Sequence, residues 1–132
     1  MRRNTMLRFL PIVLLLTACG PDETISGYAV RDATYRLIDI DGTDFAARAT
    51  ISFGDNGSVT GRGPCNSFHS TQTLPYPWFN LDPIASTRMA CPDLAAEQIY
   101  FATLADMTLA EAFENVLILS NTDDREMVFQ VE

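Results

Sequence analysis

The sequence predicts an α+β domain: mostly antiparallel strands, with one α-helix placed before a C-terminal hairpin. Three observations predict it. Short runs of alternating apolar residues recur between turn-forming residues. One stretch free of Gly and Pro, Asp93 to Met107, is rich in helix formers. Two strand-like runs near the end flank Asn121-Thr122-Asp123-Asp124. Strands gathered around a single helix, rather than strand and helix alternating, is the α+β pattern.

The elements follow in order. Tyr35 to Ile40 reads as a strand ending at an Asp41-Gly42 turn. Ala47 to Phe53 alternates on Ala49, Ile51 and Phe53, and Asp55-Asn56-Gly57 then supplies a hairpin turn. Ser58 to Arg62 is a short strand between glycines, and Phe79 to Ile84 alternates again. Helical spacing puts Leu94, Phe101, Leu104 and Ala105 on one stripe, with Pro92 or Asp93 at the helix start. Glu97 falls on that same stripe, where a charge is unusual. Val116 to Leu119 and Met127 to Val131 form the closing hairpin.

The first residues read differently. Met1 to Arg8 carries three Arg and no acid, and Phe9 to Leu16 is an unbroken apolar run. That run is far shorter than the roughly 20 residues a spanning helix needs, and it suits a signal peptide. Leu16-Thr17-Ala18-Cys19 resembles the lipobox of bacterial lipoproteins. The resemblance implies cleavage before Cys19 and acylation of that residue, with two or more chains giving a stable anchor. Gly20 stands where an Asp often marks inner-membrane retention, so an outer-membrane, periplasm-facing location is expected. Residues 1–18 are thus read as a signal peptide, 19–32 as a lipidated tether and 33–132 as the domain.

Composition excludes some functions. All nine basic residues are Arg, and three of them lie before Cys19, so residues 19–132 hold six Arg against 17 acidic residues. A surface this acidic repels phosphate backbones, so no nucleic-acid partner is expected. Membrane attachment must come from the anchor rather than from charge.

Two motifs carry a second resemblance. Gly61-Arg62-Gly63-Pro64-Cys65-Asn66-Ser67-Phe68 and Ile84-Ala85-Ser86-Thr87-Arg88-Met89-Ala90-Cys91, followed by a helix with Glu97, Phe101 and Leu104, resemble the META domain family, which includes HslJ-like heat-shock lipoproteins. The resemblance covers about residues 33–132. It implies a curved antiparallel sheet or small barrel with a packed helix, an envelope or stress-related role, and no established catalytic chemistry.

With Cys19 acylated, Cys65 and Cys91 remain as a pair in an oxidising compartment, which suggests a disulfide. Two buried free thiols are the alternative. Zinc would have Cys65, His69 and Cys91 but no evident fourth ligand. His69 is the single histidine, and without a Gly-x-Ser-x-Gly elbow a hydrolase built on Ser67 or Ser70 is disfavoured. No cofactor, metal or catalytic residue is expected, and the chain is read as a non-enzyme.

Three polar residues at motif positions, Asn66, Arg88 and Glu97, form a candidate latch or pocket. A carboxylate on the apolar helix face needs partners, and the expected ones are Arg88, Asn66 or backbone amides near the second Cys. Leu74 to Phe79 is the densest aromatic stretch, and Tyr76 and Trp78, if exposed, are candidate contacts for an envelope protein partner. The expected function is a membrane-anchored, non-enzymatic envelope lipoprotein with a binding, assembly or stress-related role. The alternative is a tethered inhibitor or ligand-binding module acting on an envelope hydrolase or a small molecule.

Overall fold

The computed structural model describes residues 20–132. The predicted signal peptide and the predicted lipidation site, Cys19, lie outside the described residues. Among the described residues, nine strands and one α-helix follow in order: β1 (Tyr35–Ile40), β2 (Thr43–Asp44), β3 (Thr50–Phe53), β4 (Ser58–Arg62), β5 (Ser67–Thr71), β6 (Ala85–Ser86), α1 (Leu94–Asp106), β7 (Leu109–Phe113), β8 (Val116–Ser120) and β9 (Glu126–Val131). The expected α+β class is the one found.

All strands join one antiparallel sheet in the order β6-β5-β4-β3-β1-β9-β8-β7, with β2 folded onto β1. The sheet stays open and does not close into a barrel. Its β7 edge is partly covered by the chain between β5 and β6: Ala110 N–H donates to the Pro77 carbonyl at 2.8 Å, and Phe79 N–H donates to the Thr108 carbonyl at 2.9 Å. Such cover leaves fewer unpaired edge groups for a foreign strand.

The predicted turns are present. β1 and β2 pair Ile40 with Thr43 across Asp41-Gly42, both of which have positive φ, at 52° and 80°. Two successive positive φ values define the type I′ hairpin turn, and Gly meets that demand without strain. Along β1, Tyr35, Leu37 and Ile40 face the core. The shift from every second residue comes from a bulge between Leu37 and Asp39 in the pairing with β9, which turns Ile40 rather than Asp39 into the core.

The core is one cluster between the inner sheet face and α1, built on Tyr35, Leu37, Ile51, Phe68, Tyr100, Leu104, Leu117, Leu119, Met127 and Phe129. Tyr100 sits edge-on to Phe68 with ring centroids 6.0 Å apart, and its fully buried hydroxyl donates to the Thr50 carbonyl at 3.0 Å. Burial pushes that phenol well above its ordinary pKa.

Three expectations need correction, and one is extended. Residues 20–32 are not simply a tether: Thr24 caps a short 3₁₀ turn at Ile25–Gly27, and Ile25 is buried in the core. The helix buries Glu97, Tyr100, Thr103 and Leu104, so its inward stripe is rotated from the predicted one and Ala105 faces solvent. Phe79 to Ile84 buries Phe79 and Leu81 as predicted, yet strand pairing begins only at Ala85. Pro83 offers no N–H for a ladder. The closing hairpin is present as β8 and β9, and β7 extends it to a three-stranded meander, turning into β8 through Glu114-Asn115, with Glu114 at φ 50°.

Candidate functional site

The three motif segments meet around one carboxylate. Glu97 lies in the first turn of α1 and is 3% exposed. Its Oε1 accepts from the backbone N–H of Asn66 at 2.6 Å and of Cys65 at 3.1 Å. Its Oε2 accepts from Asn66 Nδ2 at 2.6 Å. A buried carboxylate is tolerable only when its lone pairs are met this way.

Asn66 passes the link onward. Its Oδ1 accepts from Met89 N–H at 2.7 Å and from the Thr87 hydroxyl at 2.9 Å, while Nδ2 also donates to the Met89 carbonyl at 2.9 Å. One side chain therefore joins the turn before β5, the helix and the segment after β6. The backbone at Gly63 comes close enough that an added Cβ would stand 2.5 Å from Glu97 Oε1 and 3.0 Å from the Phe101 ring. Gly63 is thus required by close approach, not by turn geometry.

Beside this junction Cys65 and Cys91 form a disulfide, with S–S 1.97 Å and Cα–Cα 5.6 Å. The Cα separation lies within the range a cystine needs. The bond ties the same two segments that Asn66 ties: the turn before β5 and the chain leading into α1.

The predicted latch is assembled with two changes. Its amides come from the first Cys, not the second. Arg88 is not part of it: its side chain is exposed, and it makes no ion pair among the described residues. It instead lines a shallow recess with Thr87, Met89, Gln98 and Phe101. Arg88 stays solvated because Asn66 and two main-chain amides already fill the Glu97 oxygens. Nothing about Tyr100 singled it out in the sequence, whereas Gly63 and Thr87 stood inside the two motifs.

The aromatic loop divides its residues. Tyr76 is half-buried, stacked on Tyr28 with centroids 4.1 Å apart. Trp78 is 57% exposed. Between them and β5 lies Gln72, buried and unsuspected from sequence: Nε2 donates to the Leu74 and Trp78 carbonyls, both at 3.0 Å, and Oε1 accepts from Asn80 N–H at 3.0 Å. The loop is thereby pinned from inside while Leu74 and Trp78 face out. His69 is exposed on β5, across from Thr60 and Ala85.

The comparisons agree with this architecture. Solved structures share the fold at low identity. An NMR structure of a protein from Burkholderia xenovorans is 19% identical with a TM-score of 0.63, over 93% of this chain and 99% of that one. A crystal structure of a DUF4847 family protein from Bacteroides vulgatus is 14% identical with a TM-score of 0.63, over 80% of this chain and 96% of that one. No curated protein matches the chain. The META domain model matches residues 28–132, five residues earlier than the sequence motifs suggested, and this chain therefore belongs to the META domain family.

Proposed function

We propose that this META domain protein is a lipid-anchored, non-enzymatic lipoprotein of the cell envelope, facing the periplasm from the outer membrane and acting by binding or assembly, with a role under stress. The observation that carries the reading is the Leu16-Thr17-Ala18-Cys19 sequence behind a positive start and a short apolar run. The Cys65–Cys91 disulfide supports it, because cystines persist outside the reducing cytosol.

The non-enzymatic part rests on how the reactive groups are engaged. Glu97 is buried in the junction, and its oxygens are taken up by the Cys65 and Asn66 amides and the Asn66 side chain. A general acid or base must instead reach a substrate proton. His69 faces solvent between Thr60 and Ala85, with no acid to orient it among its strand partners.

Expression of the full chain in a bacterial host, with intact-mass measurement, tests the anchor. Loss of residues 1–18 together with an added diacylglyceryl group on Cys19 is the expected result. Precursor accumulation when the lipoprotein signal peptidase is inhibited is the second readout. A mature chain without acyl groups would sink the reading.

A further inference from the structure

We propose that the Leu74–Trp78 loop, with Tyr28 and Phe113 beside it, is a membrane-contact face that seats the domain directly on a zwitterionic lipid leaflet. The proposal rests on the acylation of Cys19 put forward above.

Position is the first argument. The Glu23 carbonyl accepts from Tyr76 N–H at 2.7 Å, and the Tyr28 ring stacks on Tyr76. The N-terminal segment is therefore fastened to this loop. Gly20 and Asp22 line a cleft with Thr73, the residue before Leu74. Glu23 lies four positions after Cys19, and even fully extended that length of chain reaches only about 14 Å. An acylated Cys19 thus leaves no length for a flexible stalk. The bilayer surface must lie near Tyr76.

Side-chain chemistry is the second argument. Leu74, Tyr28, Trp78 and Phe113 are among the chain's large exposed apolar side chains, at 41%, 55%, 57% and 74% exposure. Trp78 pairs with Leu109 in an antiparallel bridge, which puts the two side chains on one face, and alternation along β7 puts Glu111 and, at the far end of the strand, Phe113 on that face too. Trp and Tyr, each with an apolar ring and a polar handle, favour the membrane–water boundary. The Gln72 bonds hold the loop in shape, so little ordering remains to oppose insertion.

Charge chooses the lipid. Asp22, Glu23 and Asp55 stand at this end of the molecule, Glu111 shares the face of Trp78 and Phe113, and carboxylates near a negative surface are repelled. Contact should therefore form on neutral headgroups and weaken as anionic lipid is added.

Trp78 is the single tryptophan of the chain, so its fluorescence reports this face alone. The acylated mature protein would be reconstituted into phosphatidylcholine vesicles, with co-flotation recording attachment and phosphatidylcholine brominated near the headgroup recording contact. Attachment with blue-shifted, bromine-quenched emission is the expected result. Leu74→Asp should reduce quenching about twofold or more while flotation stays complete, and added phosphatidylglycerol should also reduce it. Flotation with water-like, unquenched Trp78 emission overturns the contact face and leaves the anchor standing. Emission that shifts only in native membranes, and not on pure lipid, overturns it in favour of a protein partner. Failure of the acylated preparation to float overturns both readings.

Discussion

Glu97 grips Asn66 twice, through the main-chain amide at one carboxylate oxygen and the side-chain amide at the other, each at 2.6 Å. The pair spans 31 positions of sequence and fixes the start of α1 against the entrance of β5. Because both groups are buried, their worth lies chiefly in what would be left unpaired without them.

Glu97→Gln tests this most directly. The substituted amide keeps one acceptor oxygen but turns an NH₂ group toward Asn66 Nδ2 or toward the two backbone donors, so donors face donors. Leaving such a buried group unsatisfied costs about 1–3 kcal/mol, which in a domain of this size is a fall in Tm of roughly 5–12 °C. Thermal unfolding followed by circular dichroism is the measurement. An unchanged Tm would show that the carboxylate is not a structural acceptor.

Gly63→Ala should destabilise by a steric route instead. The new Cβ would lie 2.5 Å from Glu97 Oε1 and 3.0 Å from the Phe101 ring, so either the carboxylate or the helix must shift. Overpacking of this kind costs about 1–3 kcal/mol. If the clash acts through Glu97, the Gly63→Ala and Glu97→Gln losses will be less than additive in chemical denaturation.

The sequence made some of this visible and hid the rest, for physical reasons. Glu97 announced itself because a charge on an apolar helix stripe demands partners, and the Asn66 partner followed from motif company. Arg88 misled for the same reason: opposite charge is the obvious partner, but main-chain amides carry no mark in a sequence. The turns at Asp41-Gly42 and after Ser120 were legible because their backbone angles restrict residue choice. β7 was not, since Leu109-Ala110-Glu111-Ala112-Phe113 is as compatible with helix as with strand, and only pairing with β8 decides it. Ile25 was hidden too. A lone apolar residue in a polar stretch has no periodicity to reveal that it reaches the core.

Acid should loosen one corner of the sheet before the whole. Asp41 Oδ1 accepts from Glu126 N–H at 2.8 Å and Oδ2 from Arg125 Nε at 3.0 Å, and these bonds, the amide foremost, hold its carboxyl below the usual range. A carboxyl whose folded value is depressed contributes stability above its unfolded value, near pH 4, and loses it as pH falls through the lower folded value. Asp41→Asn should therefore lower stability at pH 7 and make it less dependent on pH below about 4. Urea midpoints between pH 7 and pH 2.5 measure it, and parallel curves for the two proteins would exclude the role.

The disulfide and the carboxylate should prove to be coupled. Cys65–Cys91 spans 26 positions, and chain-entropy reasoning for a loop of that size gives about 3.5 kcal/mol of stabilisation, lost in Cys91→Ser. Cys65 also donates its amide to Glu97, and Asn66 holds Met89, two residues before Cys91. The cystine thus keeps the Glu97 donors in place, and Glu97 keeps the two cysteines' segments together. If the two features only happened to be neighbours, their losses would add within about 0.5 kcal/mol. A shared junction predicts instead that Glu97→Gln costs distinctly less once Cys91 is Ser, because the donors have already been released. Urea denaturation of wild type, both single variants and the double variant, with the wild type repeated under reducing conditions, measures the difference. Strict additivity would separate the latch from the cystine, and a loss under reduction that matches Cys91→Ser would assign the effect to the bond rather than to the serine.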